Sequence, residues 1–354
     1  MSPPPAGAAA HSTTWPLARQ SGVIYTTTFD RTLLIGPALA GLLVGAAAVA
    51  EPRLYVPLLF ADLWLLGYHH VVATYTRMAF DRGSLTRHRF LAVDLLLLMT
   101  AATVGLAYTT GAWVIASAFL YLQWFHYMRQ GYGIARMYFR TTVPGQVAGS
   151  RDAVTDAVIY LVPIYGIAAR SATIGETFLN LPIKAVVLPP EAVSALGVLA
   201  AMAVGAWVLQ TARQIARGTF VPAYAGFVVS HVVIFMTAYV VIDNANAGWL
   251  AINVWHNFQY VLVVWMTNVK RFAGRIDPEA RFLSRISQPR RVASYFGCCI
   301  AISTFVYLGL DRAAAFVVGP GVGATLGIFM GINFHHYVVD AVIWRRKRTA
   351  VAAT

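Results

Sequence analysis

The chain has 354 residues, of which 58% are hydrophobic and only 12% charged, and its net charge is +13. Soluble domains carry about 25% charged residues, so the composition excludes an ordinary soluble fold. On so apolar a chain the basic excess reads as cytoplasmic loops facing anionic lipid, and no nucleic-acid partner is expected.

Residues 1–31 begin with Pro and Ala and hold no apolar stretch of the secretory-signal kind, so they read as a flexible cytoplasmic tail and an interfacial segment. Trp15, Tyr25 and Phe29 are the expected headgroup anchors there. A single transmembrane domain is expected over 32–344. Its candidate spans are about 33–50, 54–76, 90–109, 112–135, 153–169, 192–211, 222–242, 248–268, 292–309 and 321–344. Each is close to the roughly 20 residues that a helix needs to cross a bilayer. The fold class is therefore all-α, a polytopic helical bundle of ten spans. Cys298 and Cys299 adjoin within the ninth span, where they cannot form an ordinary disulfide with each other and read as small buried hydrophobes.

Charge gives the orientation. Arg77, Arg82, Arg87 and Arg89 follow the second span, Arg136, Arg140 and Arg151 the fourth, and Arg213 and Arg217 the sixth. Lys270, Arg271, Arg275, Arg281, Arg285, Arg290 and Arg291 follow the eighth, and Arg345, Arg346, Lys347 and Arg348 fall in the basic tail 345–354. The alternate loops carry only Arg53, Arg170, Lys184 and Arg312. The positive-inside rule then places both termini in the cytoplasm and the bundle in the inner membrane.

Seven of the nine histidines lie inside the spans: His69, His70, His126, His231, His256, His335 and His336. His11 and His88 do not. Ionisable side chains in hydrocarbon are costly and are kept where they face a cavity, a partner or a ligand. Counted along each helix from the basic side, His70, His126, His231, His256 and His335 lie roughly 10 to 20 Å deep. Five helices thus carry imidazole within one slab about 10 Å thick, as a metal site inside the bilayer requires. The competing reading is a set of unrelated histidines, each hydrogen-bonded across a helix contact.

Asp340 follows His336 by four residues and shares its face, where a carboxylate can orient one ring nitrogen while the other binds metal. His256 has Asn253, Gln259 and Tyr260 at helical spacing, and His126 has Gln123 and Gln130. Nitrogen-rich ligation suits iron, copper or zinc better than magnesium or calcium. Neither a phosphate-binding loop nor a dinucleotide fingerprint is present, and the stretch from Gly319 to Asn333 reads as helix packing rather than a phosphate cradle.

The order and internal spacing of these boxes resemble those of the Brp/Blh family of bacterial membrane β-carotene dioxygenases. His256-Asn257-Phe258-Gln259-Tyr260 is similar to that family's paired-histidine box, with tyrosine at the second histidine, and His335, Asp340 and Arg345 are similar to its final box. His126 stands for the second box and His70 for the first, although the Pro-His-Gly and nearby Asp of the family's first box are absent. The resemblance implies one iron held by His70, His126, His256 and His335, with Tyr260 at a ligand position.

The expected function is that of an intramembrane, histidine-ligated non-haem iron oxygenase. Its partners are dioxygen, the bilayer and a lipid-soluble substrate such as a carotenoid, isoprenoid or acyl chain. Tyr260 and Asp340 are the candidates for supporting ligands or carrying protons. Two other classes compete: a haem-binding electron carrier, because facing histidines also serve as axial ligands, and a proton- or metal-coupled transporter.

Overall fold

A computed structural model describes residues 22–142, 151–318 and 322–344. His11, Trp15 and the basic tail 345–354 lie outside the described residues. Ten long helices run through the described chain: α1 (Thr27–Ala50), α2 (Pro52–Ala79), α3 (Phe90–Thr110), α4 (Ala112–Thr142) and α5 (Ala153–Ser171). They continue as α6 (Pro190–Ala216), α7 (Pro222–Val241), α8 (Ala245–Phe272), α9 (Val292–Val318) and α10 (Val322–Ile343). Local chemistry sets several starts. Thr26, Asp152 and Asn244 cap α1, α5 and α8 through their side-chain oxygens, and Pro52, Pro190 and Pro222 occupy first turns.

The chain is an all-α polytopic bundle. Eight of these helices are long and apolar enough to cross a membrane unaided, not the ten expected. The two others, α4 with 31 residues and α8 with 28, have the length. They fall short because they carry the polar side chains described below. Of the 28 residues of α8, 21 are buried, so this helix forms the axis around which the bundle packs. By contrast α3 and α6 present Leu97, Leu98, Met202 and Leu209 outward, the faces that hydrocarbon would cover.

α1 begins at Thr27, inside the segment expected to be tail and interface. Phe29 is buried and stacks on Trp265 of α8 at 6.0 Å, with Tyr25 edge-on to both rings. These two aromatics therefore pack in the bundle instead of anchoring at headgroups. α10 lies tightly along α3 because Gly327 and Gly331, one turn apart, let the backbones meet. A Cβ on Gly331 would stand 2.7 Å from Thr100 Cα, and one on Gly327 2.9 Å from Val104 Cα.

The two ends of the bundle are distinct. At one end the Gly22 amide bonds to Thr141, Lys270 to the Ile24 carbonyl, the Arg82 amide to Glu279, and Arg271 to Asp81 at 2.5 Å. These contacts bring the basic segments that follow α2, α4 and α8 onto one face, as the charge pattern requires. At the other end β1 (Thr177–Phe178) and β2 (Leu181–Pro182) pair antiparallel. Their turn residues Leu179 and Asn180 take positive φ, as a two-residue hairpin demands. The Leu179 amide bonds to Asn246 Oδ1 at 3.0 Å, which ties the hairpin to the start of α8.

Candidate metal centre

Four buried imidazoles meet in the middle of the bundle, one each from α2, α4, α8 and α10: His70, His126, His256 and His336. Their ring centroids lie 4.6 Å apart for His70 and His336, 4.7 Å for His70 and His256, 4.9 Å for His126 and His256, and 5.0 Å for His126 and His336. His70 and His336 face each other through Nε2 at 2.7 Å. Asp340 joins from one turn beyond His336. Its Oδ2 stands 3.8 Å from His336 Nε2 and 3.9 Å from His126 Nε2. Ligand atoms of His70, His126, His336 and Asp340 all lie within 4.8 Å of one another.

These residues can hold a metal ion. Donors about 2.1 Å from a shared ion stand roughly 3 to 4 Å apart, close to the spacings found. His126 Nε2 is buried without a hydrogen-bond partner while facing a carboxylate oxygen too distant for one. Neutral imidazoles plus one carboxylate also leave a single negative charge in a low-dielectric site, which a divalent cation would balance.

Asp340 is held from its other side. Its Oδ1 accepts from Tyr260 Oη at 2.5 Å and from Thr74 Oγ1 at 3.3 Å, and those two hydroxyls are themselves 2.5 Å apart. Tyr260 also stacks flat on His70, with centroids 3.9 Å apart. The i+4 spacing suggested that Asp340 orients a ring nitrogen remote from the metal. Its other oxygen faces the same Nε2 atoms that converge, so Asp340 also stands where it could be a donor.

The other histidines lie elsewhere. His335 turns away from the cluster, its Nδ1 2.6 Å from Tyr75 Oη and its Nε2 2.5 Å from the Leu91 carbonyl. Adjacent helical residues point about 100° apart, so only one of the pair can face the centre, and that one is His336. His69 is turned from its neighbour in the same way and packs edge-on to Phe296. His231 bonds to the Ile159 carbonyl at 3.1 Å and fits against Gly131, where a Cβ would clash at 2.6 Å. It is a packing histidine between α4, α5 and α7, at the expected depth but on another face.

A second polar network sits on the opposite side of the histidines. Asp62 on α2 accepts from Asn253 Nδ2 at 2.5 Å and Asn257 Nδ2 at 3.3 Å, both on α8. Asn253 Oδ1 accepts from Tyr127 Oη at 2.5 Å and Gln123 Nε2 at 3.3 Å, and Gln123 Oε1 accepts from Trp249 at 2.7 Å. Gln123 thus bonds to Asn253 and Asn253 to Asp62, while Gln130 bonds to the His256 carbonyl at 2.9 Å. A π-helical turn, Leu63–Gly67, lies between Asp62 and His70. The extra residue lets two positions eight apart face α8 together, as seven would in an undistorted helix.

Between the two layers lies a cavity of about 700 Å³. His70, His126, His256 and His336 form one wall, Gln123, Asn253 and Asn257 another, and Leu59, Leu63, Phe119, Leu326, Phe329 and Met330 much of the rest. Leu179 from the hairpin turn lines it as well. Such a space suits an apolar molecule brought against the histidines. Thr74, Asn257 and the link from Asp62 to Asn253 carry no motif that sequence reasoning could have used. No protein-family model, curated protein or solved structure matches the chain.

Proposed function

We propose that the chain is an intramembrane iron oxygenase acting on a lipid-soluble substrate, with the basic end of the bundle facing the cytoplasm across the inner membrane. The observation that carries the reading is the convergence of His70, His126, His336 and Asp340 inside a membrane bundle, where the three histidines, with His256 beside them, also line a largely apolar cavity. Three histidines and one carboxylate, with His256 beside them, make a nitrogen-rich donor set that suits a transition metal better than magnesium or calcium, and iron is the one whose dioxygen chemistry an apolar cavity at its side would serve. Iron held there would supply binding and activation of dioxygen.

The chain's own residues account for the rest. His70, His126, His336 and Asp340 would hold the ion with His256 packed beside them, and the apolar walls would align a hydrocarbon chain and keep water out. Tyr260 and Thr74 fix Asp340, and their short hydroxyl contacts give a proton a route between Asp340 and Tyr260 Oη. The haem reading fits less well. Two axial ligands lie on opposite faces of a macrocycle about 4 Å apart, whereas His70 and His336 are 2.7 Å apart with two further imidazoles beside them.

Elemental analysis and optical spectra of the purified protein test the proposal. Close to one iron per chain without an intense Soret band is the expected result, and metal-free protein that still turns over lipid would overturn it. Reporter fusions after Arg89, Arg217 and Arg291 should report cytoplasm, and a fusion near Asn246 the far side.

A further inference from the structure

The wall that α9 gives the cavity carries a hydroxyl that the centre does not use. Tyr307 on α9 is buried, lines the cavity, and has no hydrogen-bond partner for Oη. Its ring stacks flat on Tyr68, at 3.8 Å, and lies nearly parallel to Phe329, at 5.3 Å, and both of these line the cavity too. Phenylalanine would make the same stack. A hydroxyl at this place is unfavourable unless something in the cavity accepts its proton, because a buried donor without an acceptor loses its hydration and gains nothing. Tyr337, whose hydroxyl is also unpartnered, stacks on His126 and so belongs to the metal centre.

We propose that Tyr307 Oη donates a hydrogen bond to an oxygen of the bound lipid, so that the cavity takes an apolar chain bearing a hydroxyl or carbonyl in preference to a plain hydrocarbon. The inference rests on the lipid-substrate reading above, and it adds the substrate's polar group and the residue that recognises it. Only a donor is needed, so alcohol and aldehyde both fit. The neighbouring walls, Leu326, Phe329 and Met330, match the chain that would carry the oxygen.

The test uses the full chain in lipid nanodiscs, incubated with geranylgeraniol, its aldehyde geranylgeranial, or the matching deoxygenated hydrocarbon. Retained ligand is measured by mass spectrometry after gel filtration. Wild type should retain both oxygenated ligands about fivefold to tenfold better than the hydrocarbon, as one well-made hydrogen bond allows. Tyr307→Phe should bring them down to the hydrocarbon's level, with hydrocarbon retention and helix content unchanged. A wild type without preference, or a Tyr307→Phe protein that keeps the full preference, would overturn the inference. Metal content measured on the same samples separates the two readings. Metal-free protein with a Tyr307-dependent preference sinks the iron centre and leaves this inference standing, whereas metal-loaded protein without preference does the reverse.

Discussion

Asp340 and Asp62 are two buried carboxylates on either side of one histidine cluster, and among the described residues neither forms an ion pair with Lys or Arg. Their surroundings differ in one respect that decides their roles. Asp62 has both oxygens satisfied by amide donors, Asn253 on one and Asn257 on the other. Asp340 has one oxygen held by two hydroxyls and the other aimed at two imidazole nitrogens at 3.8 and 3.9 Å, too far for a hydrogen bond. A satisfied carboxylate fixes how α2 and α8 meet. One with an oxygen left over, beside a His126 Nε2 that also lacks a partner, is prepared for a further ligand. Polar groups in hydrocarbon are retained for either reason, and only the hydrogen-bond census separates them.

The largest effects that could break this comparison belong to the imidazoles. Alanine at His126 or His336 should lower bound metal at least about tenfold, while alanine at His335 or His231 should leave metal content near wild type. Mass-spectrometric metal analysis of the four proteins, purified in parallel, reads this directly. Equal metal in His336→Ala and wild type, with loss in His335→Ala, would exchange the roles of the pair.

Next come the carboxylates themselves. Asp340→Asn keeps the shape but removes the charge facing the nitrogens, and should weaken metal affinity on the order of 10- to 100-fold. Asp62→Asn should leave affinity nearly unchanged and lower stability instead, by about 1 to 3 kcal/mol, since an amide set against two amide donors strands at least one of them. Competition with a metal chelator and thermal melting, applied to both variants, should give opposite patterns. Tyr260→Phe should have an intermediate effect. Metal is retained and the flat contact with His70 survives, but turnover falls because Asp340 loses its closest donor and the proton route loses the Tyr260 hydroxyl.

How much of this was legible in the sequence depends on which coordinate is asked for. Position along the membrane normal was readable, because residues count out depth at a fixed rise. His70, His126 and His256 share a level and meet. Rotation about each helix was not readable to better than a face, so His231 entered at the right depth and the wrong azimuth, and His335 could not be told from His336. The four-residue spacing to Asp340 was visible, but whether it acts as a ligand or orients one depends on which nitrogens converge. Asp62 could not be linked to the cluster, because the π turn at Leu63–Gly67 shifts the register without a signature in residue type. Thr74 sits as helical threonines often do, its hydroxyl 3.4 Å from the His70 carbonyl, and nothing in sequence marks its second role toward Asp340.

The smallest effect concerns a third carboxylate, Asp81, which sharpens the contrast because it stands at the basic end of the bundle, outside the spans. It caps the short helix Arg82–Arg87 by accepting from the Ser84 amide at 2.9 Å, and its Oδ2 meets Arg271 at 2.5 Å. Burial pushes its carboxyl up, but the Ser84 amide, Arg271 and the Gly83 amide together outweigh that and hold it below the usual carboxylate range. A carboxyl whose folded pKa is depressed adds stability that is fully present above its unfolded value of about 3.9 and is lost as pH falls through the folded value. Melting temperature should therefore decline in acid, and part of that decline should vanish in Asp81→Asn. Asparagine also caps helices well, so the cap survives and only the ion pair is lost. The cost near neutral pH should be below about 1 kcal/mol, as for partly exposed pairs generally. Melting curves of both proteins from neutral pH into acid decide it, and an unchanged acid slope in Asp81→Asn would show that the pair with Arg271 is not what lowers this carboxyl.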